Sequence, residues 1–289
     1  YGCNNFCTYC IVPYVRGRER SREPQKILEE VRELALNGYK EVTLLGQNVN
    51  SYMNHPGADL EGAGEINSFA KLLDAVCKID GIERVRFISP HPKDFTDDVI
   101  EAIANCEKVC KSIHLPLQSG STNVLKVMNR KYTKQQYLEL AYKIKEKIPN
   151  VSLTTDIIVG FPGETEEDFE DTLDVVEKLK FEQVFMFIYS RRKGTVADKM
   201  DNQIPEDVKH RRFNKLKALV ENQIEDNNKK YLGTIQKVLI DGTSKNNKNT
   251  LSGRTDGNKV VVIDADKKYI SKIVDVKITE ECMWYLKGE

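Results

Sequence analysis

Between residues 24 and 188 the chain keeps one rhythm, in which apolar residues at helical spacing give way to short apolar runs and back again. Pro24 stands where a first helical turn tolerates proline, and Ile27, Leu28, Val31, Leu34 and Ala35 recur until Asn37-Gly38 stops them. Glu41 to Leu45 then reads as a short buried strand. The alternation continues with helix 69–79, strand 84–88, helix 97–105, strand 112–115, helix 134–147, strand 153–159, helix 166–179 and strand 183–188. Strands joined through helices pair in parallel, and right-handed crossovers roll successive units into a barrel or an open twisted sheet. In either geometry ligands gather at the carboxyl ends of the strands.

Those ends are Gly46-Gln47-Asn48, Ser89 to Pro92, His114 to Ser121, Asp156 to Glu164 and Tyr189 to Lys193. Each alone is ordinary turn composition; agreement across five strand ends makes the set a candidate site. His91 and His114, flanked by proline, read as hydrogen-bonded supports of their loops rather than as acid, base or ligand. The stretch 51–67, with Gly57, Gly62 and Gly64, is long for a compact unit and reads as a flap over the opening.

Ahead of this rhythm lies Tyr1-Gly2-Cys3-Asn4-Asn5-Phe6-Cys7-Thr8-Tyr9-Cys10, with cysteines spaced C-x3-C-x2-C. Thiolates are soft ligands that suit iron-sulfur clusters or zinc. Structural zinc asks for four ligands, and no second C-x2-C exists here. A 4Fe-4S cluster on three cysteines leaves one iron open. A zinc site completed by a distant His or Cys, or plain buried thiols, are the alternatives. Cys77 reads as core, Cys106 and Cys110 have no assignment, and Cys282 lies in the last segment. Seven cysteines, three of them in one loop, argue against a disulfide framework and for a reducing, cytoplasmic compartment.

No run approaches the ~20 apolar residues needed to span a bilayer, so no membrane partner is expected. With 44 basic and 44 acidic residues, overall charge gives no support for a nucleic-acid partner. Any such partner must rest on local groups. Arg16, Arg18, Arg20 and Arg22 follow the cysteine loop, and Arg191, Arg192 and Lys193 end a strand on the same rim.

From Pro205 the rhythm breaks into one long amphipathic helix through Val208, Phe213, Leu216, Leu219 and Val220 to Lys230. β-Branched runs at 235–240, 259–263 and 270–278, split by Asp241-Gly242 and Asp256-Gly257, then read as a small antiparallel barrel. The expected division is 1–231 and 232–289.

The motif Cys3-x3-Cys7-x-Tyr9-Cys10 resembles the signature of the radical S-adenosylmethionine (SAM) enzymes. Ile11 to Arg22 resembles the methylthiotransferase branch, and Gly46-Gln47-Asn48-Val49-Asn50-Ser51-Tyr52 is similar to its MiaB-type members. The resemblance implies an α/β fold, a partial parallel (β/α) barrel of six units whose first strand is missing from this chain, followed by a TRAM-like RNA-binding barrel. It implies addition of a methylthio group to carbon 2 of an isopentenylated adenosine beside the tRNA anticodon. Sibling enzymes acting on threonylcarbamoyl-adenosine or a ribosomal protein, and a non-catalytic zinc-containing RNA-binding protein, are the other readings.

The same resemblance implies site roles. Cys3, Cys7 and Cys10 would hold the 4Fe-4S cluster. SAM would contact Gly46 and Gln47 at its amino group, with Asn48 and Ser89 nearby, Arg130 at its carboxylate, and Gln118, Ser119 and Asp156 at its ribose and methionyl parts. Tyr9, Val12 and Phe161 would line the adenine slot. No side-chain nucleophile is implied. A second, auxiliary 4Fe-4S cluster is expected in an N-terminal domain lying outside this chain, without which the reaction cannot finish. Arg16, Arg18, Arg20, Arg191, Arg192 and Lys193 would grip the tRNA anticodon stem-loop, whose base must be splayed out. In the last segment ten Lys or Arg against eight Asp or Glu leave +2, yet Lys245, Lys248 and Arg254, with Lys259, would form an RNA face. An electron donor is implied, and a monomer is expected.

Overall fold

The computed structural model describes residues 1–55, 58–245 and 247–289, and all of Leu60 but its side chain. Its helices are α1 (Val12–Arg16), α2 (Pro24–Leu36), α3 (Leu60–Ala63), α4 (Phe69–Cys77), α5 (Asp97–Asn105), α6 (Thr122–Val127), α7 (Lys134–Lys147), α8 (Glu166–Leu179) and α9 (Glu206–Lys229). Strands β1 (Glu41–Leu45) and β2 (Arg84–Ile88) pair in parallel, as do β3 (Ser112–His114), β4 (Ser152–Val159) and β5 (Gln183–Ile188). Residues 108–110 join the two sets: the Val85 amide donates to Lys108 O (2.7 Å) and the Cys110 amide to Val85 O (2.9 Å). The result is a partial barrel with strands in chain order.

Alternation along each strand gives the sheet two faces. Leu153, Ile157, Val159 and Val184 turn outward into the helices, in a core that Leu73, Val76, Ile103, Tyr137, Ile144, Phe169 and Val176 complete. Thr154, Asp156 and Ile158 take the other, concave face. The register sets Asp156 beside Phe185 and Ile158 beside Phe187, and those two rings stay 41% and 52% exposed. Helix starts are fixed locally: Thr133 with Gln136, and Thr165 with Asp168, form reciprocal capping boxes.

The remaining strands, β6 (Ile235–Thr243), β7 (Leu251–Thr255), β8 (Val260–Ile263), β9 (Ile273–Glu281) and β10 (Leu286–Gly288), close a barrel in the order β10-β8-β7-β6-β9. It has its own core of Val238, Ile240, Leu251, Val261, Ile263, Val276, Ile278 and Leu286. Its pairing is mixed, since β10 runs parallel to β8. β7 and β10 are not legible in sequence. The Ser252-Gly253-Arg254 run lacks an apolar alternation, and Gly253 is required because a Cβ there would lie 2.3 Å from Leu239 O.

The cysteine expectations need one correction. Cys77, at the end of α4, and Cys106, just after α5, form a disulfide. They lie 29 residues apart in sequence, and it is the packing of those two helices that brings them together. The base of the expected flap is stitched down: Tyr52 Oη donates to Arg22 O (2.7 Å) and the Met53 amide to Ser21 Oγ (3.0 Å). Gly57 lies outside the described residues. No described helix is long and apolar enough to cross a membrane.

Candidate cofactor and substrate site

The cysteine loop is held from three sides. Gly2 adopts φ +75°, and a Cβ there would sit 2.1 Å from Arg18 O, so only glycine fits. The Cys3 amide donates to Gly17 O (3.2 Å) and the Arg20 amide to Tyr1 O (2.7 Å), laying the loop's start along 17–20. The C-terminal end of α6 supplies the second support. Asn129, in the left-handed region at φ +60°, donates through Nδ2 to Asn5 O (3.1 Å) and Phe6 O (3.0 Å). Thr8 donates its amide to Met128 O and its hydroxyl to Val127 O. The third support is the Ala197 amide, which donates to Thr8 O (2.9 Å).

All three thiols are free, with Cys7 buried. Burial pushes the Cys3 and Cys10 thiols up, and the neighbouring Cys7 raises both further. Among the described residues no three His, Cys, Asp or Glu side chains converge closely enough for a single metal ion. A cubane makes no such demand, because each thiolate binds a different iron. Three soft donors from one loop, with a cation behind them, fit a 4Fe-4S cluster.

That cation is Arg130, 8% exposed. Its Nε donates to Tyr132 Oη (2.9 Å), Nη2 to Pro116 O (3.1 Å) and Nη1 to Cys7 Sγ (3.5 Å). Burial opposes its charge, but Tyr132, Tyr9 and Cys7 together hold its pKa above the ordinary arginine value. It therefore faces the cluster loop as a fixed positive charge. Tyr132 is positioned in turn by Leu117 O (3.1 Å) and by the edge of His91, 5.9 Å between centroids. His91 is a support, as expected: its Nδ1 accepts the Lys93 amide (3.2 Å).

The other residues divide. Tyr9 stands edge-on to Phe161 (6.5 Å), and Phe161 edge-on to Tyr189 (5.4 Å). Phe161 is wholly buried, so it backs Tyr9 rather than lining an open slot. Val12 opens α1 and is half-buried. Gly46 and Gln47 follow β1 directly; a Cβ on Gly46 would lie 3.0 Å from Val49 Cα. Asn48 is buried, donates to Asp94 Oδ2 (2.6 Å) and leaves its Oδ1 without a hydrogen-bond partner among the described residues. Ser89, in the left-handed region at φ +62°, offers its carbonyl to the Val49 amide (3.2 Å). Gln118, at φ +71°, bridges to β4 through Asp156 O and the Ile158 amide.

Ser119 is not brought to the site. It is fully buried, and its Oγ faces Thr172 of α8 at 3.4 Å while accepting the Ser121 amide. Asp156 is occupied by His114, whose Nε2 lies 3.3 Å from Asp156 Oδ2; His114 Nδ1 meets Thr154 Oγ1 at 2.9 Å and its ring stands edge-on to Phe185 at 5.7 Å. This polar pair within an aromatic wall was not anticipated, because the partners come from different strands. Asn129 was missed too, although an Asn just after a helix is a legible C-terminal signal.

Of the basic groups, Arg16, Arg18, Arg20, Arg192 and Lys193 are exposed, and Arg192 lies close enough to lower the Cys10 pKa. Arg191 is held by Asp198 through Nε (3.1 Å) and Nη2 (2.6 Å, to the carbonyl). The expected second-barrel face is split. Lys245 and Lys248 occupy the turn before β7, whereas Arg254 and Lys259 lie at its other end, where Lys259 pairs with Glu182 (2.8 Å).

Comparison with known proteins agrees with this geometry. Residues 1–176 match the radical SAM superfamily and residues 229–289 the TRAM domain. The chain is 60% identical over its whole length to a Clostridium tetani protein named tRNA-2-methylthio-N(6)-dimethylallyladenosine synthase, and 58% identical to its Clostridium botulinum counterpart (strain Okra). It spans 62% and 63% of those proteins. Among solved structures, the radical SAM methyltransferase TsrM from Kitasatospora setae superposes with TM-score 0.54 at 16% identity, covering 68% of this chain and 37% of that one, a likeness of fold. The chain belongs to the radical SAM superfamily.

Proposed function

We propose that this chain is the radical SAM and TRAM portion of an enzyme that adds a methylthio group to carbon 2 of an N6-isopentenylated adenosine beside the tRNA anticodon. The observation that carries the reading is the cysteine loop, braced over the open barrel with Arg130 behind it, in a chain 60% identical throughout to a protein named for that modification. Cys3, Cys7 and Cys10 would hold the cluster. When bound, cluster and SAM supply one-electron radical chemistry at an unactivated carbon.

The chain's own part is to bind, orient and keep water out. Gly46, Gln47, Asn48 and Gln118 would hold SAM, and Asn48 Oδ1, unpartnered among the described residues, would accept from its amine. Arg130 balances charge at the loop. Phe185 and Phe187 offer the base and its aliphatic substituent an aromatic wall, with His114 and Asp156 as the polar contact. Arg16, Arg18, Arg20, Arg192 and Lys193 are exposed and would meet tRNA phosphates. The auxiliary cluster and sulfur delivery would come from the part of the protein outside this sequence; the electron donor, the monomeric state and a cytoplasmic location belong to the same proposal.

Anaerobic reconstitution tests it. About four irons per chain are expected, falling to background in Cys7→Ala. Stoichiometric zinc, or iron retained by Cys7→Ala, would refute the reading. Full-length enzyme should modify isopentenylated tRNA and leave ribosomal protein and threonylcarbamoylated tRNA untouched.

A further inference from the structure

The β7–β8 hairpin of the second barrel enters the larger domain from below and reaches the starts of β2, β3, β4 and β5, with Arg86 of β2 linking it to β1. Arg84 and Arg86 stand two residues apart on β2, so both point to the concave face; they are 5% and 9% exposed. Arg84 donates to Arg254 O and Lys237 O (2.7 Å each), and Arg86 to Thr255 O (2.7 Å) and Asp256 O (2.9 Å). Arg86 Nε lies 3.0 Å from Glu41 Oε1 at the start of β1. Asp256 Oδ2 accepts the amide of Lys111, just before β3 (2.9 Å). At the start of β4, a Cβ on Gly257 would lie 3.4 Å from the Cβ of Ser152. Lys259 pairs with Glu182, the residue before β5.

Burying two guanidinium groups is costly unless their donors are met, and here backbone carbonyls of the second barrel accept from both terminal nitrogens of each. A module attached only to grip RNA at the rim needs no such joint beneath the barrel. Above the hairpin the concave face carries His114, Asp156 and Phe185, then Ile158 and Phe187.

We infer that the β7–β8 hairpin is the floor of the reaction chamber: it closes the barrel from below, excludes water, and fixes how deep a flipped, aliphatically substituted purine can sink beneath the cysteine loop. Arg84 and Arg86 are positioning residues that hold this floor. The inference rests on the methylthiotransferase reading and gives the TRAM barrel a part in the chemistry besides RNA binding.

The test uses the full-length enzyme carrying Arg86→Ala, with Asp256→Ala, which removes one accepted N–H, as the milder variant. Four quantities are measured: 5'-deoxyadenosine released, methylthiolated tRNA formed, tRNA affinity, and hydrogen exchange. A loosened floor misplaces the base, so the ratio of 5'-deoxyadenosine to modified tRNA should rise roughly tenfold or more, while tRNA affinity holds and Arg86→Lys recovers part of the coupling. The ratio is blind to the fraction of enzyme folded, since both products come from folded molecules. Exchange at 253–258 should quicken while 235–240 stays protected. An unchanged ratio with weakened tRNA binding would overturn the inference and leave TRAM as an RNA grip. If the unaltered enzyme modifies no tRNA, the proposed function fails instead, while the exchange measurement still reports on the joint.

Discussion

Replacing Arg212 with Ala tests how the strand-end loop Gly160-Phe161-Pro162-Gly163-Glu164 is held. Arg212 comes from α9 and donates to Glu164 O (3.0 Å), Glu164 Oε2 (2.9 Å) and Glu166 Oε2 (3.1 Å). Glu164 in turn accepts the Gly160 amide (2.7 Å). The paired side chains are only 5% and 2% exposed. Removing one partner of such a pair costs roughly 3–5 kcal/mol, because the other charge stays buried. For a chain of this size that is on the order of 2 °C in Tm per kcal/mol, so a fall of roughly 6–10 °C is expected. Glu164 has one escape, which is to take up a proton. Burial already pushes its pKa up to about 7, against the Gly160 amide and Arg212, which pull it down. A carboxyl whose folded pKa is raised is most favourable to stability below its unfolded value and loses that contribution as pH rises to the folded pKa. The unaltered protein stops losing near pH 7, whereas the variant, with a higher folded pKa, goes on. The difference between them should therefore be flat below pH 6 and grow above pH 7 by about 1.4 kcal/mol per pH unit. Urea unfolding at pH 6, 7 and 8.5 measures this, with Glu164→Gln in the Arg212→Ala background as control. A pH-independent difference, or no recovery in the double variant, would refute the buried-charge account.

Two further outcomes follow from the same geometry. Burial, then the charges of Arg130 and Lys93, lower the His91 pKa to about 2; a folded value below the unfolded one means stability is full above pH 6.5 and lost as pH falls, by about 2 kcal/mol at pH 5, and His91→Gln should flatten that slope in denaturant titrations. Gly120→Ala would place a Cβ 2.4 Å from Asp171 O and 2.5 Å from Thr172 Cα in α8, so a loss of roughly 1–3 kcal/mol or more is expected in thermal melts, and a change within about 0.5 kcal/mol would show that the loop yields freely.

Periodicity located β1 to β5 and the long helices within a few residues, because burial on one face writes itself into local spacing. Where an element is short or lacks apolar alternation, as in α6, β7 and β10, tertiary contact stabilises it and no local pattern announces it. The site divides the same way. Cys3, Cys7 and Cys10 could be proposed as cluster ligands from sequence because all three sit within one loop. The supports around them, Asn129, Tyr132 and the Ala197 amide, come from more than a hundred residues away. Ser119 shows the converse, since its position after a strand was read correctly and its side chain turns to α8.

The strand-helix rhythm was enough to specify a parallel sheet rolled or open, and the cysteine motif resembled one superfamily closely enough to name it, since ligand type and hydrophobic period are properties of short segments. Pairing of Cys77 with Cys106, of His114 with Asp156, and of Arg84 and Arg86 with the second barrel's hairpin required the fold. Each joins side chains whose separation in sequence carries no signal, and whose meeting depends on how helices pack and strands register.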